Sequence, residues 1–257
     1  MSISRGEFLK SLGKSVPGMV LNSGVALAAQ KVIGKMVAAS GESIAPSSPA
    51  TPLTVNAESP RAETIESGPS NRRQIAFTFD DGPIPGMTER ILDEFKKRNL
   101  HATFFMIGRR IELAPDLARR VLAEGHDVGN HTCTHPKLPS LDPSQADKEI
   151  GRTQEIMHDV LNHTPVWFRA PYGELRADQF ELVHKHGLSS VMGRVSPKDW
   201  SDPGEDAITS IILNDVVNGS IIICHDFSVQ TANCLGAILD TLLERGFLPV
   251  TLTALLG

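Results

Sequence analysis

Ile75-Ala76-Phe77-Thr78-Phe79-Asp80-Asp81-Gly82-Pro83 reads as an apolar strand that stops at two adjacent carboxylates and a Gly-Pro turn. Neighbouring carboxylates repel, and burying either without a partner costs several kcal/mol. A cation beside them, or a proton held by one of them, would resolve the conflict. The plain alternative is an Asp-Gly turn with solvated acids. The rest of the chain decides between the two.

Downstream of this stretch, strand-like and helix-like segments alternate. Gln74–Phe79 is a strand, and Thr88–Arg98 carries Ile91, Leu92 and Phe95 at helical spacing. A strand follows at 102–107, a helix at 115–124, and a short strand over 126–130 that ends against His131. Asp142-Pro143 supplies an N-cap with proline at the first helical position, opening a helix to about Leu161. Strands are then expected at 166–169, 189–195, 220–225 and 248–252, with helices at 178–186, 207–217 and 231–245. Strands alternating with helices imply parallel pairing through right-handed crossovers. With seven or eight such units, a distorted, closed or partly closed (β/α) barrel of the α/β class is favoured over an open sheet.

The chemistry-bearing residues fall where that architecture collects them. Asp80 and Asp81 end the first strand, and His131 and His135 follow the third. Arg169 ends the fourth, Asp199 and Trp200 follow the fifth, and His225 ends the sixth. In a parallel barrel these ends share one rim, where catalytic groups gather. His131-Thr-Cys-Thr-His135 reads as a loop closed by Pro136. A lone histidine pair is more often incidental. With a carboxylate from a neighbouring strand end, it gives the two-nitrogen, one-oxygen set that suits a catalytic Zn²⁺-like ion with open positions. Cys133 is not counted as a ligand.

The remainder of the 257 residues sets limits. A net charge of −5 gives no basic footprint and argues against a nucleic-acid partner. Cys133, Cys224 and Cys234 are too few and too irregular for a disulfide framework or a thiolate zinc site, and a Cys224–Cys234 bridge is a minor reading that would need an oxidising compartment. Residues 1–29 carry Arg5, Lys10 and Lys14 before a moderately apolar run ending in Ala26-Leu27-Ala28-Ala29, the arrangement of an export signal. Ser4-Arg5-Gly6-Glu7-Phe8-Leu9-Lys10 resembles a twin-arginine signal with Gly6 in place of the second arginine, so the route is a degenerate twin-arginine or a general secretory one. The alternative is an N-terminal helix retained as an anchor; no other membrane span is expected. Residues 30–72, rich in Ser, Pro, Ala, Thr and Glu from about residue 40, read as a flexible linker, with the catalytic domain over 73–257.

Thr78-Phe-Asp-Asp-Gly-Pro83, His131-Thr-Cys-Thr-His135, Arg169-Ala-Pro-Tyr172, Asp199-Trp200 and Ile222-Ile-Cys-His225 occur in the order and spacing of the polysaccharide deacetylases. The chain resembles carbohydrate esterase family four, the NodB-homology group, over residues 73–257. Two positions depart from its pattern: Ser196 stands where an acid is frequent, and Ala170 where proline is frequent. The resemblance implies metal ligation by Asp81, His131 and His135, with Zn²⁺ first and Co²⁺ or Ni²⁺ as alternatives. It implies that Asp80 is the base, that the backbone N–H of Tyr172 helps hold the oxyanion, and that His225 is the acid. Asp199 would orient either His225 or Arg169, and Trp200 would wall the sugar pocket. The implied activity is removal of N-acetyl groups from N-acetylglucosamine units of peptidoglycan, a chitin-like polymer or poly-N-acetylglucosamine, by an exported monomer. O-deacetylation of xylan, deformylation of a lipid-linked aminosugar and a catalytically silent glycan-binding module are the competing readings. The last would require a lost ligand, base or acid, and all are present.

Overall fold

The computed structural model describes residues 64–257. The expected export signal over 1–29 and the expected linker as far as residue 63 lie outside the described residues.

Seven parallel strands form one sheet in the order β5-β4-β3-β2-β1-β6, with β7 also pairing to β1. The strands are β1 (Gln74–Gly82), β2 (Thr103–Met106), β3 (Asp127–Asn130), β4 (Trp167–Phe168), β5 (Ser189–Ser190), β6 (Ile221–His225) and β7 (Leu248–Val250). Among the described residues eight α-helices connect or follow them: α1 (Thr88–Lys97), α2 (Gly108–Leu113), α3 (Pro115–Ala123), α4 (Pro143–Leu161), α5 (Ala177–Lys185), α6 (Glu205–Asp215), α7 (Val229–Glu244) and α8 (Leu252–Leu256). The N-terminus expected for α4 forms as read. The Asp142 carboxylate accepts from the Gln145 N–H while the Gln145 side chain accepts from the Asp142 N–H, a complete capping box behind Pro143.

Alternation along β1 sorts its side chains. Ile75, Phe77 and Phe79 join the layer under the helices, where Phe79 stacks on Phe104 at 5.3 Å and meets Phe95 edge-on at 5.8 Å. Ala76 joins the barrel interior with Phe105, Trp167, Val191 and Ile221. Burial on both faces explains why this strand reads as a nearly continuous apolar run. The barrel is distorted because β4 and β5 are each two residues long. The expected strand over 189–195 is mostly irregular, yet its far end reaches β6: the Ile223 N–H donates to the Val195 carbonyl at 2.9 Å. That contact links the segment after β5 to β6 by an isolated bridge.

Two expectations are corrected here. Residues 64–72, assigned to the linker by composition, belong to the folded body. The Ile65 N–H donates to the Ser190 carbonyl and the Met192 N–H returns a bond to the Ile65 carbonyl, while Gly68 N–H donates to Gly219 O at 2.8 Å. A polar stretch holds here by backbone bonds and one apolar side chain, Ile65, packed on the interior cluster. The last strand ends at Val250 rather than Leu252; Thr251 caps α8, whose Leu252 and Leu255 are buried among the interior side chains. The minor reading of a Cys224–Cys234 bridge is not realised, as all three cysteines are free and buried.

Candidate active site

Strand geometry places the two aspartates differently. Asp80 pairs with Phe105 and Gly82 with Met106, so Asp81 is the extra residue of a bulge on β1. Simple alternation would send Asp81 outward under the helices, on the side of Phe79. The bulge, with Asp81 at φ 74°, turns it back toward the rim. The Asp81 carbonyl is held by the guanidinium of Arg110 on α2.

There Asp81 Oδ1 lies 3.1 Å from His135 Nε2 and 3.5 Å from His131 Nε2. His131 Nδ1 lies 2.7 Å from the carbonyl of Arg169, an acceptor only, so Nδ1 carries the proton and Nε2 presents its lone pair. Asp81 Oδ1 is buried without a hydrogen-bond partner. Three converging donor atoms, one of them an orphaned buried oxygen, fit a metal ion, and among the described residues this is the one such group. Burial alone would raise the Asp81 pKa, but the two imidazoles outweigh it and hold the carboxyl well below the usual range.

Asp80 faces the interior beside Arg169, whose Nη1 donates to Asp80 Oδ1 at 2.7 Å and to Thr78 Oγ1 at 2.6 Å. Arg169 is 1% exposed. Its Nε donates to the Val191 carbonyl, Nη2 to that of Met192, and its guanidinium lies 4.2 Å from the centre of the Phe105 ring. A buried cation so fully satisfied is a rigid clamp on Asp80.

His225 sits beside Asp80 in the β1–β6 register. Its Nδ1 lies 2.7 Å from Asp199 Oδ1, while Asp199 Oδ2 accepts from the His225 backbone N–H at 2.9 Å and from Thr231 Oγ1 at 2.7 Å. Asp199 therefore partners His225 and not Arg169, which resolves the alternative the sequence left open. Burial opposes the imidazolium; the Asp199 hydrogen bond and the charges of Asp80, Asp199 and Asp81 outweigh it and raise the His225 pKa above its ordinary 6.5.

Tyr172, at φ 60° in a tight turn, and Trp200 are each 59% exposed on the rim. The Tyr172 ring lies 4.9 Å from that of His135. The sequence assigned no catalytic role to Arg110, Thr78, Thr231 or Asp226. The Asp226 side chain is completely buried against Gly82, where its Oδ2 accepts from Thr88 Oγ1. Burial pushes its pKa up to about 7. Only its position directly after His225 could have drawn notice.

The profile of the polysaccharide deacetylase family matches residues 67–191. A chitooligosaccharide deacetylase of Rhizobium leguminosarum bv. trifolii is 38% identical over 192 residues, covering 69% of this chain and 89% of its own. The chain belongs to the polysaccharide deacetylase family. The peptidoglycan-N-acetylmuramic acid deacetylase PdaC of Bacillus subtilis (strain 168) is 36% identical over 196 residues, 76% of this chain, but this chain spans only 41% of PdaC's length. Among solved structures, the Bc1960 peptidoglycan N-acetylglucosamine deacetylase superposes with a TM-score of 0.73 at 33% identity, covering 75% of this chain and 92% of that one. Among the described residues no helix is long and apolar enough to cross a membrane.

Proposed function

We propose that this polysaccharide deacetylase is a metal-dependent hydrolase that removes N-acetyl groups from N-acetylglucosamine units of a cell-wall or extracellular glycan. The observation that carries the reading is the convergence on one rim of the Asp81–His131–His135 donor set, the Arg169-clamped Asp80 and the Asp199-held His225. A divalent ion held by the three donors, Zn²⁺ first and Co²⁺ or Ni²⁺ as alternatives, would supply Lewis-acid polarisation of the acetyl carbonyl and a water acidified toward about pKa 7.

The chain's own residues supply the proton traffic and the binding. Asp80 takes the proton of the attacking water, and the hydrogen bond from Arg169 holds its carboxylate aimed. His225 delivers a proton from Nε2 to the leaving nitrogen, because an amide otherwise expels a poor leaving group. Asp199 fixes Nδ1–H, leaves Nε2 facing the substrate and stabilises the imidazolium. The Tyr172 backbone N–H assists the developing oxyanion, and Trp200 offers an apolar wall to the sugar. The relatives named for peptidoglycan and chitooligosaccharides support this substrate class, and the signal-like residues 1–29 support export. The protein acts as a monomer on its glycan.

Acetate release from chitooligosaccharides and from peptidoglycan, by chelated protein with and without added Zn²⁺ or Co²⁺, tests this. Metal-restored release from either glycan supports the proposal and selects the substrate. Silence on both with metal bound in stoichiometric amount refutes the substrate and redirects the search to acetylated xylan and lipid-linked aminosugars.

A further inference from the structure

The His131–His135 loop leaves β3 and returns toward the site in five residues, and two of them, Thr132 at φ 65° and His135 at φ 61°, adopt left-handed backbone. A β-branched residue such as threonine is a genuine outlier there, and such strain persists only where surrounding contacts over-determine it. The loop's amide donors can all be accounted for. His131 N–H donates to the Met106 carbonyl, Thr132 N–H to Asn130 Oδ1 and His135 N–H to Thr132 Oγ1. The remaining two, Cys133 and Thr134, both donate to Glu149 Oε2, at 3.0 and 2.8 Å, and the Thr134 hydroxyl bonds Glu149 Oε1 at 2.8 Å.

Glu149 stands on α4, well inside that helix, and its carboxylate has no hydrogen-bond partner outside the loop among the described residues. The two histidines depend on it unequally. His131 is anchored through Nδ1 to the Arg169 carbonyl and lies next to β3. The His135 ring has no comparable hydrogen bond among the described residues; the path of the loop and the Tyr172 ring hold it. We propose that Glu149 is the positioning residue of the metal site: its carboxylate closes the 132–135 backbone into the strained form that presents His135 Nε2 to Asp81 Oδ1. The inference rests on the metal-site reading above and adds to it a residue that touches neither ion nor substrate.

The test measures metal affinity and ligand geometry in addition to turnover. Metal-free wild type, Glu149→Ala, Glu149→Gln and the exposed same-helix control Glu155→Ala are titrated with Zn²⁺ against a chromophoric chelator, and the visible absorption of each Co²⁺ form is recorded. Glu149→Ala is expected to lose about 10- to 100-fold in affinity, the range for removing a partner that orients a ligand, and to show an altered Co²⁺ spectrum. Glu149→Gln can place its amide oxygen at the Oε2 position and donate to Thr134 Oγ1, so it should stay within about threefold of wild type, as should Glu155→Ala. If Glu149→Ala does not fold, Glu149→Asp, shorter by one methylene, is expected to show the same weakening. Wild-type affinity and spectrum in Glu149→Ala or Glu149→Asp, or an equal loss in Glu149→Gln, would overturn the assignment. Failure of wild type itself to bind Zn²⁺ would instead overturn the metal-site reading.

Discussion

Asp199→Asn tests the proton-delivery half of the site. Asp199 Oδ2 accepts from two donors, the His225 N–H and the Thr231 hydroxyl, so the amide oxygen of asparagine must take that position. Its NH₂ then faces His225 Nδ1, which becomes an acceptor, and the ring proton moves to Nε2. The variant loses a buried charge next to the imidazolium as well as the correct tautomer. Two unit charges about 4 Å apart in surroundings of effective dielectric about 20 interact by about 4 kcal/mol, roughly a thousandfold. General acid catalysis contributes about 10²- to 10⁴-fold, so the two magnitudes agree on a loss of about 10²- to 10³-fold in kcat/KM at pH 8. The sign follows from His225. It works while protonated, and the wild-type pKa is raised above 6.5 by contacts that outweigh burial. Without Asp199, burial regains weight and the pKa falls, so the alkaline limb of the kcat/KM profile moves toward acid and the deficit narrows as pH is lowered. Acetate release from a chitooligosaccharide across pH 5 to 9, with metal content measured in parallel, reads this directly. An unmoved alkaline limb, or an equal loss at every pH, would refute the role given to the pair.

Other expectations follow from neighbouring contacts. Asp80→Asn should abolish turnover with metal retained; loss of metal would show that Asp80 and Asp81 have exchanged roles. Gly82→Ala would bring a Cβ to 2.1 Å from Asp226 Oδ2, so thermal stability and metal affinity should both fall, and Asp226→Gly in the same chain should recover part of each. Arg169→Met leaves the Asp80 carboxylate buried without its cation and should cost about 3–5 kcal/mol in denaturant unfolding. His126, packed against Phe95 and Phe104 with Nδ1 accepting from Ala102 N–H, has its pKa pushed down to about 4 by burial. The unfolded chain therefore binds the extra proton between about pH 6.5 and 4, and stability falls as pH is lowered through that window. His126→Phe should be less stable at pH 7, through the lost acceptor, and show a weaker pH dependence across the same range in urea titrations.

Glu149 illustrates what a linear reading misses. A carboxylate within an amphipathic helix looks like any solvated position, and its three partners on the 131–135 loop become visible only when α4 packs beside β3. The same holds for Thr231 and Arg110, whose roles are set by a single long-range hydrogen bond each.

Local chemistry was sufficient for the rest. Apolar runs ending at Asp80, His131, Arg169 and His225 identify parallel strands whose ends share a rim, because strand period and crossover handedness are properties of short segments. The pairing of His131 and His135 with a carboxylate from a neighbouring strand end is legible for the same reason, whereas the choice of Asp81 over Asp80 was what the family resemblance implied. Packing decided what those segments leave undetermined. A one-residue bulge, not alternation, turns Asp81 toward the histidines; three donors converging on one buried carboxylate assign Asp199 to His225; and Ile65, unremarkable in a polar stretch, is drawn into the fold by backbone bonds to Ser190 and Met192 and by packing on the interior cluster. Each is a choice among partners distant in the chain, and that choice exists only once the strands and helices have packed together.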